Sequence, residues 1–129
     1  MDREPIPDDI ACFIQLNIPS VPYLEAILLL RREHRMAWDA KHAAQRLYLT
    51  EKAAQALLSE LQAAGMAECI YGQARLYRYR PRSAELSQMI DRLERAYTSN
   101  LIGVTNLIHA KAHKKAWRFA NAFRWKKDN

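Results

Sequence analysis

The sequence predicts a mainly α-helical protein whose helices are interrupted by one β-hairpin. Only three of the 129 residues are glycine, whereas Ala and Leu, which favour helices, are abundant. Apolar residues recur at helical spacing along most of the chain. The one stretch with strand-like alternation lies between residues 66 and 80. The length fits one domain with a helical extension.

Two helices are predicted in the N-terminal third of the chain. Asp8 and Asp9 can cap a short first helix that has an apolar face around Phe13. A second helix, from Tyr23 to about His34, is apolar on most of its sides. A helix with this pattern is expected at the centre of a core.

Two short helices joined by a tight turn are predicted next. Asp39 caps the first helix, and Thr50 caps the second by accepting backbone N–H bonds. Ala43 and Ala44 give the first helix a narrow inner face, which allows the two helices to cross closely. Gly65 ends the second helix because glycine adopts the left-handed conformation at low cost.

A hairpin follows, with predicted strands over residues 66–71 and 75–80 and a turn at 72–74. Alternation along the second strand places Tyr77 and Tyr79 on one face, which we expect to meet the core. The arginines and Leu76 would then lie on the other face. We expect a sheet of two or three short strands.

The C-terminal part is predicted to be helical, with Ser83 as a cap and a break at Asn100 or Gly103. The segment from His113 to Lys127 is basic and aromatic. It would pack on the core, form a dimer seam or lie on a membrane surface. These patterns predict a domain over residues 1–82 and a helical extension over 83–129.

Positive charge is concentrated in the second half of the chain. Residues 1–68 contain 7 Lys and Arg against 10 Asp and Glu, a balance of −3. Residues 69–129 contain 13 Lys and Arg against 4 Asp and Glu, a balance of +9. This distribution favours a polyanionic partner, although solubility can explain part of it.

Several classes of protein are not supported by the sequence. No apolar run is long enough to span a bilayer and the N-terminus is charged, so we expect a cytoplasmic protein without membrane contact. No nucleophile elbow, phosphate loop or paired carboxylates indicate an enzyme, and no cofactor is expected. His109 and His113 lack a further ligand, so no metal site is predicted. The two cysteines are expected to be free and buried.

The residues from Tyr23 to Pro81 resemble the winged helix-turn-helix DNA-binding superfamily of bacterial transcription regulators. The resemblance rests on a leading helix, on the pattern AxxAAxxL at Ala40–Leu47, on a capped helix ending in LxxLxxxGMAE, and on a strand ending in YRYRP. It implies a three-helix core with a β-hairpin wing over residues 72–82. The helix 50–64 would be the recognition helix.

The resemblance also implies which side chains contact DNA. The outer face of the recognition helix would read base edges, and the wing would contact the phosphate backbone. This helix carries one lysine and two glutamates, which shifts weight to the wing and the tail. The implied DNA-binding residues are Thr50, Lys52, Gln55, Ser59, Arg75, Arg78, Arg80 and Arg82.

We therefore expect a transcription regulator that binds double-stranded DNA, as a homodimer because one winged helix reads few bases. An alternative hypothesis is a winged-helix adaptor that binds another protein. A third hypothesis is an accessory protein that binds DNA without sequence preference. The apolar face of the helix after Ser83 is the expected dimer element. Its residues are Leu86, Met89, Ile90, Leu93 and Tyr97.

Overall fold

A computed structural model of the chain describes residues 4–70 and 75–110. The described residues form six helices and one antiparallel hairpin, which confirms a mainly α-helical fold with a small two-stranded sheet. Their order is α1 (Asp8–Asn17), α2 (Val21–Arg32), α3 (Ala40–Leu47), α4 (Glu51–Ala63), β1 (Ala67–Ile70), β2 (Leu76–Tyr79), α5 (Ala84–Ser99) and α6 (Leu101–Ala110).

The described residues fall into two compact units. One unit runs from Pro22 to Glu94, and the other consists of the segments that end at Val21 and begin at Arg95. The domain boundary predicted after residue 82 stays a prediction. The predicted hairpin turn at 72–74 and the basic aromatic tail, with His113, lie outside the described residues.

Helix α2 is the central helix of the larger unit. All five residues from Ala26 to Leu30 are buried, as are Tyr23 and Leu24. Burying a leucine or isoleucine side chain contributes about 1.5–3 kcal/mol, so this helix provides a large share of the apolar burial in its unit. The sequence-based expectation of a central core helix is confirmed. Burial also raises the pKa of the Tyr23 hydroxyl.

The cap residues define the turn between α3 and α4. The Asp39 carboxylate accepts a hydrogen bond from the His42 N–H at 2.8 Å, and the Thr50 hydroxyl accepts one from the Ala53 N–H at 3.1 Å. Between the helices, Tyr48 adopts a left-handed conformation with φ 57°. Buried alanines allow α3 to pack closely on α4. Both predicted caps are confirmed.

Helix α4 ends at a glycine held in a crowded position. Gly65 has φ +77°, and the Arg82 side chain lies directly over its Cα. The Arg82 guanidinium also donates a long hydrogen bond, 3.4 Å, to the Ala64 carbonyl at the end of the helix. The predicted glycine stop is confirmed, and the arginine that covers it comes from the residues after β2.

The hairpin pairs Ala67 with Tyr79 and Ile70 with Leu76 at its two described ends. Outside the two strands, Trp38 forms an isolated antiparallel bridge with Tyr77 of β2. Its N–H donates to the Tyr77 carbonyl at 2.7 Å, and its carbonyl accepts the Tyr77 N–H at 2.8 Å. These two hydrogen bonds anchor the segment between α2 and α3 against β2.

Helix α5 is tied to α2 by charge. The Arg31 guanidinium donates to Asp91 at 2.9 Å and to Glu94 at 2.6 Å. Burial acts to lower the pKa of Arg31, but the hydrogen bond and charge of Asp91, together with Glu94, raise it overall. The predicted Ser83 cap is confirmed, because its hydroxyl accepts the Leu86 N–H at 3.1 Å.

In the smaller unit, Asn100 occupies the predicted break between α5 and α6. Its side-chain oxygen accepts the Gly103 N–H at 2.9 Å, and its amide donates to the Glu4 carbonyl at 3.0 Å. The first helix differs from expectation in one respect: Pro7 occupies the N-cap position, so the two aspartates lie in the first turn. There their charge is favourable to the helix dipole.

The cysteines are both free, but the expectation that they are buried is wrong, because neither is fully buried. Cys12 is exposed and Cys69 is half-buried. Cys12 lies on the outer side of α1, next in sequence to the buried Phe13, so the amphipathic helix turns the thiol outward. Among the described helices, none by itself has the length and hydropathy of a membrane span.

We expect replacement of Gly65 by alanine to lower the free energy of unfolding by about 1–2 kcal/mol, the cost of a left-handed non-glycine residue. The added methyl would also lie 2.7 Å from the Arg82 Cδ. Denaturant unfolding measures the loss. Gly65→Asn is the matched control, since asparagine tolerates this conformation better. Combining Gly65→Ala with Arg82→Ala removes the contact with the arginine side chain and so separates this steric cost from the cost of the left-handed conformation. A Gly65→Ala variant as stable as the parent would contradict both costs.

We expect Asp39 to make stability depend on pH in the acid range. The His42 N–H bond, and to a lesser extent the His42 side chain and Lys41, hold the pKa of this carboxyl below its ordinary value. A lowered folded-state pKa stabilises the fold above the unfolded-state pKa, and the contribution is lost as pH falls through the folded-state value.

Two substitutions of Asp39 separate charge from capping. Asp39→Ala should cost about 1 kcal/mol at neutral pH because the cap is lost. Asp39→Asn should retain the cap but show a shallower loss of stability on acidification. Thermal unfolding across the acid range measures both effects. An Asn variant with the parent's full pH dependence would show that the charge of Asp39 does not contribute.

Candidate nucleic-acid interface

The first turn of α4 presents two of the predicted contact residues to solvent. Thr50 and Lys52 are both exposed, and Lys52 forms no ion pair with a described residue. The Thr50 hydroxyl is already used as the helix cap, so its free hydrogen-bonding capacity is reduced. Lys52 is therefore the side chain of this turn best able to reach a phosphate or a base edge.

Two further residues of α4 are used inside the protein. The Gln55 side-chain amide donates to the Tyr77 hydroxyl at 2.9 Å and to the Ser59 hydroxyl at 3.1 Å. Tyr77 is only 1% exposed, so its hydroxyl depends on these neighbours for hydrogen bonds. Gln55 and Ser59 lie four residues apart on the side of α4 that borders β2. They hold α4 against β2.

The arginines of the hairpin also differ in how available they are. Glu68, opposite Arg78 in the strand pair, accepts a hydrogen bond from Arg78 at 2.5 Å with one carboxylate oxygen, and its other oxygen pairs with Arg80 at 3.2 Å. Arg82 covers Gly65, as described above. Arg75 is exposed and forms no ion pair with any residue that the structure describes.

One side chain near this surface is exposed although no periodic pattern in the sequence predicts its exposure. Tyr48, in the turn between α3 and α4, is 95% exposed and has a positive φ. A bulky residue is uncommon in this conformation, which places the ring outside the packed surface of the two helices.

Most of the side chains in the predicted dimer seam on α5 are buried within a single chain. Ile90 and Leu93 are fully buried, and Tyr97 is 9% exposed. Leu86 and Met89 are half-buried. A second copy could contact only the last two without rearrangement of the fold.

The described residues contain no group of three or more His, Cys, Asp and Glu side chains that could hold a metal ion. Near the candidate interface, the pKa of the Tyr79 hydroxyl is raised, chiefly by burial. That hydroxyl therefore remains protonated near neutral pH.

No protein-family model matches the sequence, and no curated protein is similar enough to be matched. The candidate interface is therefore defined by its own geometry.

We expect Tyr77→Phe to lower the free energy of unfolding by about 1–2 kcal/mol, because the Gln55 amide loses a buried acceptor. Thermal or denaturant unfolding measures the change. Tyr48→Phe is the matched control, since it removes a hydroxyl from a ring that is 95% exposed, and it should leave stability within about 0.5 kcal/mol of the parent. Equal stability of the two variants would contradict the role assigned to the Tyr77 hydroxyl.

Proposed function

We propose that the protein is a winged helix-turn-helix DNA-binding protein of the bacterial transcription-regulator type, acting in the cytoplasm and without catalytic activity. The observation that carries the proposal is the order of elements around Tyr77. A core helix, a strand-like segment at Trp38, two crossed helices and a hairpin follow one another, and Trp38 pairs with β2. This is the order expected of a winged helix.

Within this proposal, α4 enters the major groove by its N-terminal turn. Lys52 contacts a phosphate or a guanine, and Thr50 lies beside it. Tyr48 precedes this turn, and its hydroxyl is well suited to a phosphate contact, a role that tyrosine commonly has in DNA complexes. Gln55 and Ser59 contribute indirectly by orienting α4.

The wing contributes affinity for the phosphate backbone of DNA mainly through Arg75. Arg78 and Arg80 each share Glu68, so their contribution requires exchange of an internal ion pair for a phosphate. An exposed ion pair of this kind is worth about 0–1 kcal/mol, which makes the exchange inexpensive. The positive balance of residues 69–129 supports a salt-dependent affinity of this type.

We propose a homodimer on the grounds of specificity, because two half-sites read more bases than one. Leu86 and Met89 are the predicted seam residues that remain accessible in part. The exposed Leu101 and Ile102 of α6 are further apolar side chains that a second copy could cover.

A protein-binding adaptor is the second candidate, favoured by the character of the exposed surface of α4. Glu51 and Glu60 are exposed on this helix, and Lys52 is its only basic residue. Acidic side chains on this surface repel DNA phosphates and suit a basic or neutral protein partner.

A gel-shift titration against a pool of genomic fragments at two salt concentrations tests the proposal. Retention of a few fragments at the higher salt is expected for a sequence-reading regulator. Uniform retention that salt abolishes would indicate backbone binding only. No retention at either salt would contradict DNA binding and favour the adaptor.

Replacing one basic residue at a time and measuring binding to a retained DNA fragment then shows what each residue contributes. We expect Arg75→Ala to weaken binding to all fragments alike and to reduce the salt dependence by about one phosphate contact. Lys52→Ala should weaken binding and also reduce the preference among fragments. Fluorescence anisotropy measures both.

The matched control is Arg95→Ala, which removes an exposed cation that belongs to the smaller unit and is not one of the predicted contact residues. Arg78 and Arg80 are less suitable for this test, because their removal also releases Glu68. If Arg95→Ala weakens binding as much as Arg75→Ala, net charge rather than the wing accounts for the affinity.

A further inference from the structure

An open cleft lies where the end of β2 passes the segment that follows α2. Its volume is about 600 Å³, within the range of small-molecule sites. Four basic side chains, one tyrosine and one proline form its lining. They are His34, Arg35, Arg78, Tyr79, Arg80 and Pro81.

The cleft carries more positive charge than its neighbours compensate. The only carboxylate paired with its described arginines is Glu68, which contacts Arg78 at 2.5 Å and Arg80 at 3.2 Å. Arg35 is exposed and forms no ion pair with any described residue. Three guanidinium groups against one carboxylate leave two positive charges without an ion-pair partner among the described residues. Asp91 and Glu94 also act on Tyr79 of the lining, but these carboxylates are paired with Arg31 and Arg32.

A bound anion would relieve this repulsion. Guanidinium groups match the geometry of phosphate oxygens and can bind them by paired hydrogen bonds. A phosphate monoester carries up to two negative charges near neutral pH and so matches the two unpaired guanidinium charges of the cleft, whereas a backbone phosphodiester carries one charge per phosphate and would match them with two neighbouring phosphates. The Arg78 and Arg80 side chains are 41% and 68% exposed, so both can reach an incoming ligand without unfolding the hairpin.

We propose that this cleft binds a phosphate group, carried by a small phosphorylated molecule or by a nucleic-acid backbone. The proposal shares Arg78 and Arg80 with the wing contacts proposed above. It goes beyond them because it adds His34 and Arg35 in one cleft and requires neither sequence reading by α4 nor a dimer. Glu68 acts as an internal competitor: it occupies Arg78 and Arg80 until the phosphate displaces it.

Inorganic pyrophosphate is the first probe, titrated into the full-length protein by isothermal titration calorimetry. We expect Arg35→Ala to weaken binding about tenfold, the effect of losing one charge-assisted contact. Glu68→Gln should strengthen binding about threefold, because it removes the competing charge. Arg95→Ala, an exposed cation outside the cleft, should bind as the parent does.

A mixed-sequence DNA duplex is the second probe, measured by fluorescence anisotropy with the same four proteins. If the substitutions change the affinity for pyrophosphate as expected but leave the affinity for the duplex unchanged, the natural ligand is a small phosphorylated molecule. The same order of affinities seen only with the duplex identifies the nucleic-acid backbone as the source of the phosphate. If no protein binds the duplex but the pyrophosphate pattern holds, the cleft proposal stands and the DNA-binding proposal fails.

Two results would overturn the proposal. One is that Arg35→Ala and Glu68→Gln bind both probes as the parent does. The other is that Arg35→Ala and Arg95→Ala weaken binding equally, which would indicate a general effect of net charge. Far-UV circular dichroism of each variant shows that the proteins compared are folded, and Arg35, being exposed and unpaired among the described residues, is a mild site for substitution.

Discussion

Tyr77 is the residue on which the arrangement of the larger unit depends. Its backbone forms two hydrogen bonds with Trp38, and its hydroxyl accepts a hydrogen bond from Gln55. The same residue therefore joins the segment before α3, the strand β2 and the helix α4. Because the ring is buried, each of these bonds forms away from bulk water, where an unpaired polar group is costly. The Tyr77 side chain thereby helps to fix α4 against β2, together with the backbone hydrogen bonds around Gly65 that join α4 to the hairpin.

Much of the local structure could be predicted from the sequence, because it depends on residues close together in the chain. Asp39 and Thr50 bond to N–H groups three residues on, and Gly65 supplies a conformation that its neighbours cannot adopt cheaply. The apolar pattern of α2 likewise indicates burial on nearly all sides. These signals require no knowledge of the tertiary fold.

The roles of the candidate contact residues could not be predicted in the same way. The Gln55–Tyr77 bond joins residues 22 apart, and the Glu68–Arg78 pair depends on the exact pairing of β1 with β2. A side chain at the edge of the apolar face of a helix is predicted to point to solvent by helical periodicity. It can still form a hydrogen bond with an adjacent strand. Counting polar residues on a helix or strand therefore overestimates how many are free to bind a ligand.

The register of the hairpin, more than its composition, determines its effective charge. Glu68 lies directly opposite Arg78, and a shift of one residue would turn its carboxylate to the other face of the sheet. In the observed register one carboxylate compensates part of the charge of two arginines, so fewer cations than the sequence suggests act at full strength. Any anion that binds this part of the hairpin must first compete with Glu68. Binding to Arg78 and Arg80 should therefore favour ligands with concentrated charge, such as phosphate, over weaker anions.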